Sequence, residues 1–248
     1  MKVIVNADDF GHGEARTLAI CEAFARGLLT TTTVMANMPW FERAVAFSRE
    51  RGFFDRVGLH FNLTEGVPLT SRMREDEFFC TEGLFNANFH RSLRSRLYLP
   101  KILGELVRGE AKAQVERYCD AGFPLKHLDS HHHVHTDFSV ARELYPIAMS
   151  AGFRTSRMSR TIAPKMRFDK IVYKILFNTW ANKRLPFLVR DFTDFWDFMR
   201  VHRTLPDNAS IEVMVHPGLE EDVPLDVMSE FWKKNQTENF TVYQMGAR

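Results

Sequence analysis

What this chain lacks excludes several classes of protein before any motif is read. Its three cysteines, Cys21, Cys80 and Cys119, are odd in number, widely spaced and without a CxxC pair. No disulfide framework is expected, and a reducing, cytoplasmic setting is. No stretch approaches the roughly 18 uninterrupted apolar residues of a membrane span. The opening Met1–Asp9 places acids where an export signal would need its apolar core. The net charge of +2, from 33 basic and 31 acidic residues, is too close to neutral for an electrostatic nucleic-acid binder. Neither a nucleic acid nor a membrane is therefore an expected partner. Linkers rich in Pro, Gly or Ser, low-complexity runs and internal repeats are also missing. A single domain over 1–248 is the simplest account, at a length that α/β barrels often fill as one unit.

What is present is a globular composition: 45% apolar, 12% aromatic and 22 phenylalanines. Val3–Asn6 is a short β-branched run, and Glu14–Leu29 carries Ile20, Ala23, Phe24 and Leu28 at helical spacing. Extended segments are then expected over Thr30–Met35, Arg56–Leu63, Leu125–Asp129, Phe153–Arg157, Ile211–Val215 and Phe240–Tyr243. Helices are expected over Trp40–Arg51, Ile102–Gly122, Ser139–Ala151 and Leu225–Asn235. Strands alternating with helices of this length imply parallel β-α units. Two segments interrupt the alternation. Residues 66–100 read as an insertion, and Arg160–Arg203 is dense in aromatics, which predicts helices packed on the sheet, with a lining of sugar-stacking rings as the alternative.

Residues 127–135 read His-Leu-Asp-Ser-His-His-His-Val-His, five of the chain's ten histidines in nine positions. Imidazole is a common metal ligand and the side chain best suited to proton transfer near neutral pH. The run is internal and interrupted by Val134, which argues against a purification tag. Three other polar groups share its setting at the end of an expected strand: Asp8-Asp9, His60 with Asn62, and His216. Each has a plain alternative alone, as a helix cap, a satisfied core histidine or the start of a turn. In parallel α/β folds, however, the carboxyl ends of the strands form the face where active sites are built. All four groups are therefore predicted neighbours.

Two adjacent carboxylates in a cleft repel each other, and a divalent cation relieves this by binding one and leaving the other as a base. One Asp and two His make a reasonable ligand set with open positions. A metal held there polarises a carbonyl oxygen and acidifies water, as amide or ester hydrolysis requires. A further histidine, for which His216 is suited, protonates the leaving group.

The strings Val5-Asn6-Ala7-Asp8-Asp9-Phe10-Gly11, Gly58–Thr64, His127–His135 and Glu212–Gly218 resemble the signature segments of the YdjC-like carbohydrate deacetylases, in that family's order. The resemblance implies a distorted, TIM-like (β/α) barrel with outer helices. It also implies removal of N-acetyl groups from an amino sugar or short chitooligosaccharide with one divalent metal, Mg2+ or Zn2+, often in a homodimer. Carried over to this sequence, it gives Asp9, His60 and His131 as metal ligands, Asp8 as the base and His216 as the acid. An arginine is expected after the strand that follows the histidine run; Arg157 is favoured over Arg154 and Arg160. Asp129, two residues before His131, is expected to orient a ligand from behind. The basic stretch Arg91, Arg94, Arg96 and Lys101 reads as a solvated face or as a contact for an acidic sugar. Two other functions stay open: a metallophosphoesterase on an α/β barrel, and a non-catalytic sugar-binding protein.

Overall fold

Val3, Ile4 and Val5 are buried on both faces of the first strand, the mark of a strand inside a parallel sheet covered on either side. The computed structural model describes residues 1–163, 166–218, 223–235 and 241–242. The chain runs β1 (Lys2–Phe10), α1 (Glu14–Ala25), β2 (Thr31–Val34), α2 (Phe41–Glu50) and β3 (Val57–Phe61). It then leaves the alternation for α3 (Ser71–Arg74), a hairpin of β4 (Cys80–Thr81) and β5 (Leu84–Phe85), α4 (Asn88–Arg91) and α5 (Leu93–Leu97). The alternation resumes with α6 (Lys101–Asp120), β6 (His127–Ser130), a 3-10 turn (His131–Thr136), α7 (Phe138–Ser150) and β7 (Thr155–Ser156). Last come α8 (Phe168–Asn182), β8 (Asp191–Asp194), α9 (Phe195–Val201), β9 (Ser210–Val215), α10 (Leu225–Asn235) and β10 (Thr241–Val242).

The strands lie in the order β7-β6-β3-β2-β1-β9-β8, with β10 beside the start of β1, and every pairing in this sheet is parallel. The sheet curls. The chain just beyond β7 meets β8, where Thr161 N–H donates to Phe192 O at 3.0 Å, so the expected α/β barrel is formed with an irregular seam. All strand carboxyl ends therefore open on one face.

Two differences from the expected elements have local causes. Only Thr155–Ser156 of the segment 153–157 is paired as strand, because the chain turns away at the seam. Strand β8 was not anticipated: Asp-Phe-Thr-Asp is four residues with an acid at each end, below the length at which alternation is readable. The aromatics of 160–203 mostly pack. Phe177, Phe192, Phe195 and Phe198 are buried, and none of the rings in that segment lines the cavity at the strand ends. In the last expected strand, Phe240 and Tyr243 lie outside the described residues.

Candidate active site

An ordinary strand sends neighbouring side chains to opposite faces, yet Asp8 and Asp9 both serve one site. The backbone explains this. Asp9 has φ +67°, in the left-handed region, and the β1–β2 register shifts between Ala7 and Phe10. His132 and His133 are also left-handed, at +49° and +57°. Asp and His enter this region more readily than most residues, at about 1–3 kcal/mol each, and such strain gathers at functional sites.

Asp9, His60 and His131 converge with donor atoms within 4.8 Å of one another. Each histidine is backed by a carboxylate on its far nitrogen. His60 Nδ1 donates to Asp129 Oδ1 at 2.7 Å, which leaves Nε2 facing Asp9 Oδ1 at 3.1 Å. That Nε2 is buried and makes no aligned hydrogen bond. His131 Nε2 donates to Glu65 Oε2 at 2.9 Å, and its Nδ1 lies 2.8 Å from Asp9 Oδ1. Carboxylate–histidine pairs of this kind fix the ring and raise its basicity where histidine holds a metal. The donor set thus fits a divalent cation. Electrostatics agree: burial pushes the His60 imidazole down, but Asp129, Asp9 and Asp8 outweigh it and lift it to about 10. So much negative charge around His60 calls for a positive one.

Beside this cluster lies a buried ion network centred on Arg157. Its Nη1 and Nη2 donate to the two oxygens of Asp8, each at 2.7 Å, Nη2 also lies 2.8 Å from Asp129 Oδ2, and Nε donates to Glu212 Oε1 at 2.6 Å. Burial pushes the Asp8 carboxyl up, but Arg157 with His60 and His216 holds it well below the usual carboxylate range. Burial lifts Glu212 to about 7 against the pull of Arg157. The donors of Asp8, His60 and Asp129 also gather closely. A cation there would collide with the guanidinium that already bridges Asp8 and Asp129, so this is no second metal site. Of the three candidate arginines, Arg157 enters the site; Arg154 is exposed, and Arg160 pairs with Asp194 and Asp197.

The remaining histidines of the run divide by role. His135 is tied to Ser130 Oγ and Arg157 O, and His127 to Thr155 Oγ1. Burial pushes His127 down to about 4 and His133 to about 3, so both stay neutral. His216 stands across the site, with Nε2 3.7 Å from Asp9 Oδ2 and a third of its side chain exposed. A cavity of about 630 Å³ opens here, lined by the acids Asp8 and Asp9, by His131, His132 and His216, and by Arg16. Ala87, His90 and Arg91 of the 66–100 excursion complete its wall, which gives that insertion a place at the site.

Sequence reasoning missed Glu65 and Glu212. Glu212 sits inside an expected strand, where a carboxylate over a central sheet was itself a signal. Glu65 lay in a polar turn and carried no signal; only the folded position of His131 reveals it.

A sequence profile of the family described as YdjC-like protein matches residues 2–243. A carbohydrate deacetylase of Brevibacillus brevis is 31% identical over 248 residues, covering 96% of this chain and 89% of that protein. One from Geobacillus stearothermophilus is 31% identical, covering 95% and 86%. One from Vibrio cholerae is 39% identical over 149 residues, 60% of this chain and 55% of that protein. A crystal structure from Enterococcus faecalis, described as a candidate cellobiose-phosphate cleavage protein, superposes with TM-score 0.74 at 19% identity over 98% of this chain and 97% of that one, a likeness of fold. The chain belongs to the YdjC-like family.

Proposed function

We propose that this protein is a metal-dependent carbohydrate deacetylase that hydrolyses the N-acetyl group of an amino sugar or short chitooligosaccharide and releases acetate. Its relatives' names support the reaction class, and one observation carries the metal dependence: two carboxylate-backed histidines aim their near nitrogens at Asp9. Asp9, His60 and His131 would hold one ion, Mg2+ or Zn2+. Bound there, such an ion polarises the amide carbonyl and acidifies water.

The chain's own groups do the rest. Asp8 Oδ1 accepts from Arg157 and from Asn6 Nδ2 at 2.8 Å, which fills both of its lone pairs, whereas Oδ2 accepts from Arg157 alone. Oδ2 is thus the atom of Asp8 that can take a proton from the attacking water. Arg157 keeps this carboxylate ionised and fixed in direction. His216, on the opposite wall, gives a proton to the amine nitrogen as the C–N bond breaks. Acetate and the free amino sugar leave.

The phosphoesterase reading gains nothing from this geometry, since such sites commonly use two metals and Arg157 occupies the place a second would need. The test is acetate release from N,N′-diacetylchitobiose, lost on chelation and restored by added metal. A protein that binds the sugar but frees no acetate with magnesium, zinc, manganese or cobalt would refute the reading.

A further inference from the structure

The excursion between β3 and α6 carries one more histidine to the active-site cavity, under the same restraint as His60 and His131. His90 of α4 donates through Nδ1 to Asp137 Oδ2 at 2.7 Å, and that carboxylate is fully buried. Arg96 Nε pins the other oxygen of Asp137 at 2.5 Å. A carboxylate on one ring nitrogen fixes the plane of the imidazole and leaves the second nitrogen for other work. Among the described residues nothing bonds to His90 Nε2, and the side chain, 24% exposed, lines the cavity. The excursion is built to hold it there. Phe89 is buried with its ring 5.2 Å from that of Phe79, and Ser139 Oγ donates to Ser95 O at 2.6 Å, which ties α5 to the start of α7. Ala87, also on the cavity wall, turns the chain into α4 with φ +55°, a left-handed conformation that a residue other than glycine adopts at a cost.

This histidine is not a metal ligand. Among the described residues it belongs to neither group of donors close enough to share an ion. Its ring lies 6.5 Å from that of His132, which lies 4.1 Å from that of His131, so His90 stands beside the metal cluster and outside it. His132 offers itself in the same way. Thr64 Oγ1 gives its one proton to Asn62 Oδ1, so His132 Nδ1 donates to Thr64 Oγ1 at 3.0 Å and Nε2 is left as an acceptor on the cavity wall. Next to His90, the exposed Arg91 lines the cavity and has no acidic partner among the described residues.

We propose that His90, with His132 and Arg91, forms the subsite for the sugar next to the one that loses its acetyl group, so that His90 sets a preference for oligosaccharide over monosaccharide; this rests on the deacetylase reading of the same cavity. The donors and acceptors suit a sugar. A hydroxyl pairs with His90 Nε2 as donor or acceptor and donates to His132 Nε2, and the Arg91 guanidinium donates to an oxygen such as the carbonyl of a second acetamido group. Because Asp137 and Thr64 already hold the two rings, little ordering is left for the ligand to impose. The wall continues outward, since Arg91 also lines an adjoining cavity of about 610 Å³ between α5 and α8, and longer chains have room there.

The test sets N-acetylglucosamine against N,N′-diacetylchitobiose, in acetate release by the metal-loaded protein and in calorimetric binding to metal-loaded Asp8→Asn. The wild type should favour the disaccharide in both. His90→Ala should cut kcat/KM for the disaccharide about fivefold more than for the monosaccharide, with the difference in KM rather than kcat, and should weaken disaccharide binding by a similar factor. His90→Gln keeps a polar atom near the Nε2 position and should recover part of the preference, which a merely structural role would not do. Arg91→Gln, exposed and clear of Asp137, should also lower the preference, and an unchanged melting curve will show that its fold is intact. Equal losses for the two sugars, no loss for either, or a wild type that binds both alike would overturn the subsite. If neither sugar releases acetate while His90→Ala still weakens the disaccharide selectively, the subsite stands and the deacetylase reading falls.

Discussion

Arg157 grips both carboxylate oxygens of Asp8 at 2.7 Å, and both side chains are buried. Arg157→Lys keeps the charge but cannot reproduce the fork that also reaches Asp129 and Glu212. Removing one partner from a buried ionic network costs about 3–5 kcal/mol. The variant should unfold at markedly lower urea, and its kcat should fall while its metal affinity holds. A wild-type unfolding midpoint would show that the network adds nothing.

Asp8→Asn separates the base from the ligands. The amide retains the shape and can still pair with Arg157 through its oxygen, but it cannot take the proton that Oδ2 would. Metal affinity, set by Asp9, His60 and His131, should stay within a few-fold, and kcat should drop by about 10²–10⁴. Calorimetric metal titration beside an acetate-release assay reads both. Equal losses in the two would mean that Asp8 acts through the metal cluster.

Much of this site was legible because strand ends carry it. Asp8, Asp9, His60, Asp129, His131, Arg157 and His216 are each at or just past a strand end, so parallel topology alone predicted their convergence. The left-handed turn at Asp9 was not legible, since no residue type demands it, and neither was the reach of Glu65 to His131 across 66 residues. Strand β8 was too short to show a period, and the exposed Phe168, Ile175 and Leu176 of α8 read in sequence like any buried face. Periodicity reveals that a face is apolar, and only packing reveals which side is covered.

Acid should destabilise the protein through its buried neutral histidines. Burial holds His127 at about 4 and His133 at about 3, whereas the unfolded chain takes these protons near pH ~6.5. Between those limits the unfolded state binds more protons, so stability is full above about 6.5 and falls toward about 4 and below. From pH ~7 to ~5 each histidine accounts for about 2 kcal/mol. Asp8 and Asp9, held below the carboxylate range, add losses at still lower pH. Glu212, raised to about 7, works the other way: its contribution is complete below about 4.5 and fades as pH rises through 7. Urea unfolding of His127→Gln at the two pH values should show a shallower loss than the wild type. An unchanged slope would remove His127 from the account.

Glu65 gives the sharpest test of the carboxylate-backed pair. It accepts from His131 Nε2 at 2.9 Å, and its other oxygen lies 2.9 Å from His12 Nε2. Hydrogen bonds to His12 and His131 hold its carboxyl well below the usual range, so it stays ionised wherever His131 needs it. Glu65→Gln can still accept one hydrogen bond but brings no charge, so the His131 ring loses both basicity and a fixed orientation. Metal affinity should fall about 10–100-fold, with the global fold spared because Glu65 is partly exposed. Asp129→Asn behind His60 should give at least as large a loss, since that pair is fully buried. Equilibrium titration of the chelated protein with Zn2+ or Mn2+ measures both variants. Wild-type affinity in Glu65→Gln would mean that His131 is positioned by its backbone turn alone.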